Sequence, residues 1–165
     1  MYPITLVALE AFPGELEKHY AAFPSEYVHW TPDSWDGVPS EQFTAIEQVC
    51  HVRDIEIEGY HQRFTRTLNE DMPLLPSIDS EAVARERHYG AADTRRVFAE
   101  FRAARATTVA LLRGLDEAQL ARRAHFEGYG AVSLRALAHY LCSHDQQHLA
   151  GLQWLLGKVD AARRA

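Results

Sequence analysis

The chain has 165 residues, of which 47% are hydrophobic and 24% charged, and this composition predicts one globular domain over residues 1–165. The net charge of −6 argues against a basic surface for nucleic acid, and no apolar run approaches the ~18 residues of a membrane span. Two cysteines are too few for a disulfide framework, and the first ten residues lack a secretion signal, so we expect a cytoplasmic protein.

The first predicted helix runs from Ile4 to Phe23. Four of its apolar residues can share one face: Leu6, Leu9, Leu16 and Tyr20. Pro13-Gly14 interrupts this pattern, so we expect a kink or two short helices. Residues 25–39 follow as an ordered loop that is rich in Trp and Pro.

The second predicted helix runs from Ser40 to about Asn69. Serine suits the N-cap, and Glu41 would then lie in the positive first turn. The apolar residues that recur at helical spacing are Phe43, Ile46, Cys50, Ile57, Phe64 and Leu68. His51 lies at the margin of this buried stripe.

A long connection, residues 70–90, separates the second helix from the third. Asp79-Ser80 predicts the start of a short helix that runs through Arg87. The third helix is predicted from Asp93 to Leu115. Its inward face carries Val97, Phe101, Ala104, Thr108, Leu111 and Leu115. Its outward face carries Arg95, Arg96, Arg102 and Arg105, and we expect it to be solvated; positioning of an anionic substrate is the alternative.

The fourth predicted helix begins at Ser133, as N-cap, and ends at Gly157. Before it, residues 116–124 add a helical turn, and residues 125–132 form a glycine-containing loop with a short extended piece. The predicted fold is therefore all-α, a four-helix bundle with a long crossover between helices 2 and 3.

Two histidines interrupt the leucine stripe of the fourth helix. The stripe consists of Leu134, Leu137, Leu141, Leu152 and Leu155. His144 and His148 continue it in the middle, four residues apart and therefore on one face. A buried imidazole needs a partner, and a shared divalent metal would serve both rings. Hydrogen bonding or solvation of the two rings is the alternative.

The residues around these histidines resemble a known family. The helix-borne His51, followed about ninety residues later by H-D-Q-Q-H-L, is similar to the DinB-like (YfiT-like) family of proposed metal-dependent enzymes. The segment W-T-P-D-S-W-D-G-V-P-S-E also looks like that family's approach to its first histidine. The resemblance covers nearly the whole chain.

The resemblance implies one metal site in a DinB/YfiT-like bundle. His51, His144 and His148 would hold one divalent metal, zinc or nickel. Some relatives are thiol transferases or isomerases that use low-molecular-weight thiols, so a small-molecule substrate, such a thiol among the candidates, is expected. The family name comes from DNA-damage induction and implies no nucleic acid, and a homodimer is expected from other members.

Three imidazoles leave at least one coordination position for water or substrate. A metal there would lower the pKa of bound water or bind a thiolate. The hypotheses left open are a metal-dependent transferase or hydrolase, a non-catalytic metal-binding stress or sensor protein, and a structural bundle whose histidines bind nothing.

Two carboxylates of the second helix share the His51 side, Glu47 and Glu58, and are weak candidates for a general base or for orienting a ligand. A solvated role is favoured for both. Cys50 and Cys142 flank the histidines, but each points about 100° or more away from its neighbouring ligand, so both are expected to fill core space.

Overall fold

The computed structural model describes residues 2–164, and four long helical elements form the predicted four-helix bundle. These are α1 (Pro3–Ala21), the consecutive pair α2 (Ala45–Asp54) and α3 (His61–Asn69), α5 (Thr94–Gly114) and α7 (Leu134–Ala162). Shorter helices are α4 (Ser80–Glu86) and α6 (Glu117–Ala121), with 3₁₀ turns at Ser25–Tyr27 and Tyr89–Ala91. Residues 70–93 form the long crossover between α3 and α5.

Helix α1 passes through Pro13 as one helix, so the expectation of two short helices is wrong. Proline has no N–H to bond the carbonyl four residues earlier, which here belongs to Leu9. That carbonyl instead accepts a hydrogen bond of 3.0 Å from Nη1 of Arg105 on α5. A tertiary contact therefore replaces the missing helical bond.

Helix α2 begins at Ala45, five residues later than predicted, and its N-cap is Thr44. The N–H and hydroxyl of Thr44 both donate to Oε2 of Glu47, at 2.9 and 2.8 Å. Ser40 and Glu41 consequently lie in the segment before the helix, and their predicted roles as N-cap and first-turn acid are wrong. Glu47 is the third residue of the helix, and its carboxylate accepts the hydrogen bonds of the N-cap residue, as in a capping box.

A π-helical turn, Ile55–Tyr60, joins α2 to α3. The wider turn changes which residues face inward. Glu56 is fully buried, whereas Ile57, predicted to be buried, is only partly so. A prediction of the buried face that assumes an unbroken α-helix is therefore displaced by about one residue in this segment.

The prediction that the arginine-bearing face of the third helix is solvated is wrong for Arg105. Its side chain is 1% exposed and bonds Glu56 and Asp145, while Arg95, Arg96 and Arg102 are exposed as expected. All five N–H donors of its guanidinium are used: three bonds go to Glu56 and Leu9, and two to Asp145. The position thus links α1, α5, α7 and the π-helical turn.

A small three-stranded sheet lies outside the bundle. β1 (Leu74–Leu75) from the crossover pairs parallel with β2 (Arg123–Phe126), and β2 pairs antiparallel with β3 (Gly130–Ser133). The extended piece predicted between α6 and α7 is thus a hairpin. Its turn needs positive φ at Gly128 and Gly130, +81° and +76°, which glycine adopts without steric cost.

Helix α7 continues through Gly157 to Ala162, so the predicted end at Gly157 is wrong, while Ser133 caps it as predicted, accepting a bond from the Ala136 N–H. At 29 residues it is still not a membrane helix, because no helix between residues 2 and 164 is both long and apolar enough to span a bilayer.

The apolar core has two parts, and polar side chains of α7 lie between them. One part contains Leu9, Phe64, Leu112, Leu137 and Leu141, and the other contains Phe12, Val49, Phe101, Leu152 and Leu155. Along α7, His144, Asp145 and His148 separate Leu141 of the first part from Leu152 of the second. The site is built in this intermediate layer.

Candidate metal centre

Three histidines from two bundle helices converge on one point. His51 comes from α2, and His144 and His148 come from successive turns of α7. Nε2 of His144 lies 3.1 Å from Nε2 of His51 and 3.1 Å from Nε2 of His148. The residues predicted for the site are thereby brought together.

The nitrogen spacing fits a single transition-metal ion. Metal–nitrogen bonds of about 2.1 Å separate two ligand nitrogens by about 3.4 Å in a tetrahedral site and about 3.0 Å in an octahedral one. The observed 3.1 Å separations lie within that interval. A divalent ion can therefore be placed with small side-chain adjustments.

Two of the three imidazoles, those of His51 and His144, are held in the neutral form that binds metals. Burial, together with the charge of His148, lowers the pKa of His51 to about 3, against the opposing effect of Glu41. Burial and the charges of His148 and His51 lower the pKa of His144 well below its ordinary value. Protons therefore compete weakly for these two rings.

Gln48 determines which nitrogen of His148 faces the centre. Its amide nitrogen donates to Oγ of Ser40 at 2.8 Å and to the carbonyls of Glu41 and Phe43, which leaves its oxygen facing Nδ1 of His148. Nδ1–H of His148 donates to that oxygen. A neutral His148 then presents an unprotonated Nε2 to the centre.

With three neutral imidazoles, hydrogen bonds alone do not satisfy this cluster. Nε2 of His144 faces two imidazole nitrogens, but a neutral ring carries at most one proton there. Nε2 of His148 also faces Oε2 of Glu41 at 3.2 Å. With neutral rings, lone pairs would meet without an intervening proton, whereas a cation at the centre would attract all of them.

Glu41 is the site residue that sequence reasoning missed. Its carboxylate lies 3.2 Å from Nε2 of His148 and 3.7 Å from Nε2 of His51. The four ligand atoms of Glu41, His51, His144 and His148 lie within 4.8 Å of one another. Burial raises the pKa of Glu41, but the hydrogen bond and charge of His148 and the charge of His51 outweigh it and lower the pKa to about 2.

Glu47 and Glu58 are not in this cluster. Glu47 caps α2 through Thr44, and Glu58 pairs with Arg87 of the crossover. Cys50 is fully buried, and burial raises the pKa of its thiol to about 12. Cys142 is half-buried on α7, and neither thiol is among the atoms that meet at the centre.

A pocket of about 330 Å³ opens beside the histidines. His51, His144 and Glu41 lie at one end. Phe126, Tyr129, Tyr140, Tyr60 and Arg63 line the remainder. The hairpin and the crossover therefore complete a concave space that a small molecule can enter.

Fold and site together define a four-helix-bundle protein with a three-histidine candidate metal centre that is open to a pocket. The sequence matches the profile of the DinB superfamily over residues 8–152, and the chain belongs to that family. The resemblance found in the sequence is thereby confirmed. A search of curated proteins finds no significant match.

The fold is also that of a solved structure. YfiT from Bacillus subtilis matches with a TM-score of 0.80 and 24% sequence identity, covering 94% of this chain and 86% of the YfiT chain. YfiT is described as "a probable metal-dependent hydrolase with an unusual four-helix bundle topology". At this identity the similarity establishes the bundle topology.

Proposed function

We propose that this protein is a divalent-metal-dependent enzyme, of hydrolase type, that acts on a small molecule at an open coordination position. His51, His144 and His148 would hold the ion, zinc or nickel. The convergence of three Nε2 atoms beside a pocket is the observation that carries the proposal. A bound ion would act as a Lewis acid and lower the pKa of water.

Glu41 favours hydrolysis over the other reaction types. Its carboxylate lies at the rim of the centre and lines the pocket, with 40% of its side chain exposed. A carboxylate held there can accept a proton from attacking water. The description of YfiT as a hydrolase agrees with this assignment. Thiol S-transfer is the second reaction to screen, because an open position also accepts a thiolate.

Glu41 also supports a second candidate function, a non-catalytic metal-binding stress or sensor protein. If its carboxylate binds the ion, four protein ligands would close a tetrahedral site. Replacing Glu41 by Gln separates the two roles. Loss of activity with metal retained supports a general base, and loss of metal supports a fourth ligand.

The first test is metal content by elemental analysis on protein purified without an affinity tag. We expect about one equivalent of zinc or nickel in the wild type and most of it lost in His148→Ala, since three-ligand sites need each imidazole. His125→Ala is the matched control, because His125 is exposed on β2 and is not among the residues of the cluster. A wild type that stays metal-free after loading, or a His148→Ala protein with full metal, contradicts the proposal.

Thermal unfolding gives an independent readout of the same site. A ligand that binds only the native state stabilises it, by about 2.7 kcal/mol at one hundred times its dissociation constant. Metal-loaded protein should therefore unfold at a higher temperature than protein freed of metal. Equal midpoints in the wild type would count against a metal centre.

A further inference from the structure

Two arginines are buried among the residues that the structure describes, and they differ in how their charge is compensated. Arg105 is 1% exposed and uses all five N–H donors on protein oxygens, including the carboxylates of Glu56 and Asp145. Arg63 is 6% exposed. A buried guanidinium ordinarily needs such partners, because its charge loses the solvation of water.

Arg63 lacks them. Among residues 2–164, no carboxylate lies within 4.0 Å of its guanidinium, which makes one hydrogen bond, from Nη2 to the Pro76 carbonyl at 3.3 Å. Its Nε is buried without a hydrogen-bond partner. Burial lowers the pKa of Arg63, and the only opposing groups are the hydroxyls of Tyr60 and Tyr129.

Aromatic rings hold the guanidinium in place. Its carbon lies 4.4 Å from the ring centre of Phe126 and 4.9 Å from that of Tyr60. Cation–π contacts of this kind orient a guanidinium and leave its N–H edge free to bond. The position in the first turn of α3, directly after the π-helical turn, and the hairpin ring of Phe126 together define where that edge lies.

The Arg63 side chain borders the pocket of the candidate metal centre. Arg63 lines the same pocket as His51 and His144, and its charge is close enough to contribute to the lowered pKa of His144. Tyr129 stacks on Phe126 with ring centres 4.7 Å apart and lines the same pocket. One small molecule can thus span from the histidines to Arg63.

We propose that Arg63 is an anion-binding residue and that the substrate is an anionic small molecule, with a carboxylate or phosphate group on Arg63 and its reacting group at the metal end. The planar guanidinium pairs bidentately with such groups. The inference rests on the proposed function for the reacting end, but anion binding itself needs no metal.

The test is a titration of the full chain, freed of metal and exchanged into chloride-poor buffer, with succinate and inorganic phosphate, followed by backbone NMR shifts. We expect shifts at Tyr60, Phe126 and Tyr129, and no shift with the neutral analogue succinamide. Removing the metal matters, because an ion at the histidines would bind anions by itself. Succinate and phosphate distinguish a carboxylate from a phosphate preference.

Arg63→Met should weaken anion binding about tenfold or more, as expected for loss of a charge-assisted bidentate contact. Arg66→Met is the matched control on the next turn of α3, since Arg66 is half-buried, bonds Glu70 and the Leu74 carbonyl, and does not line the pocket of the candidate metal centre. Arg63→Lys keeps the charge but loses the planar pair of N–H donors, so it should bind anions with intermediate affinity. It takes the place of Arg63→Met if that variant fails to fold.

Three results would overturn the proposal: equal binding of succinate and succinamide by the wild type, equal anion affinity in Arg63→Met and Arg66→Met, or shifts confined to Gln62 of α3 and Leu75 of β1. Metal content measured on the same variants separates the two proposals. Arg63→Met with full metal and no anion binding supports both, while a metal-binding wild type that ignores anions overturns this one alone.

Discussion

At the scale of single residues, His148 has two different partners for its two ring nitrogens. Nδ1 bonds the side-chain oxygen of Gln48, and Nε2 faces the other histidines. Gln48 is itself fully buried and bonds the segment that carries Glu41. One amide therefore sets the orientation of a ligand and the position of the neighbouring carboxylate.

Replacing Gln48 by Leu should weaken metal binding about 10- to 100-fold, because His148 loses the bond that orients its ring. All three histidines remain, so the loss would be in affinity rather than in capacity. Competition with a chromophoric chelator measures it. Gln146→Leu, a change at an exposed position of α7, should leave the metal affinity unaltered. Equal metal affinities in the two variants would show that Gln48 does not contribute to the site.

At the scale of the elements, the segment before α2 packs directly on helix α7. A Cβ at Gly151 would lie 2.3 Å from Oγ and 3.2 Å from Cβ of Ser40, and 3.1 Å from Nε2 of Gln48. Only a hydrogen at this position allows so close an approach. Because Gly151 has no side chain, the segment before α2 can approach α7 closely. Glu41, in that segment, then lies beside the histidines of the preceding turns of α7.

Gly151→Ala should destabilise the fold by about 1–3 kcal/mol, because the methyl group overpacks a filled interface. It should also loosen metal binding by displacing the segment of Ser40 and Glu41. Gly157→Ala lies on the same helix with nothing within 4 Å of the added carbon and should be neutral or stabilising by up to about 1 kcal/mol. Urea unfolding compares them, and similar midpoints would contradict the packing argument.

At the scale of the whole molecule, a buried charged layer joins the two halves of the core. Arg105, Glu56 and Asp145 connect α5, the π-helical turn and α7, and Arg105 also bonds α1 at Leu9. The layer therefore involves all four elements of the bundle. It is adjacent in sequence to the candidate site, because Asp145 directly follows His144.

Arg105→Met should cost about 3–5 kcal/mol of unfolding free energy, since it leaves two buried carboxylates unpaired and the Leu9 carbonyl unsatisfied. Arg102→Met removes an exposed pair with Glu17 on the same helix and should cost no more than about 1 kcal/mol. Chemical denaturation of both variants measures the difference. Equal stabilities would show that the network contributes little to the native fold.

Local periodicity by itself determined the bundle and the histidines within it. Helical spacing along residues 134–155 identified a buried face, and two imidazoles on that face required a partner. The crossover and the N-caps of Ser133 and Asp79 are also local signals, and the structure contains each of them. These predictions succeed because neighbours on one helix decide them.

Only the tertiary structure decided the rest of the site. Glu41 reaches the histidines because the segment before α2 packs onto Gly151. Arg105 is buried because its donors find the Leu9 carbonyl, which Pro13 leaves without a helical partner, and two acids on other elements of the bundle. In the sequence, nothing distinguishes Arg63 from an ordinary surface arginine, but in the structure the hairpin covers it. A charged side chain carries no local mark of its burial, since the energy that allows it comes from residues distant in sequence.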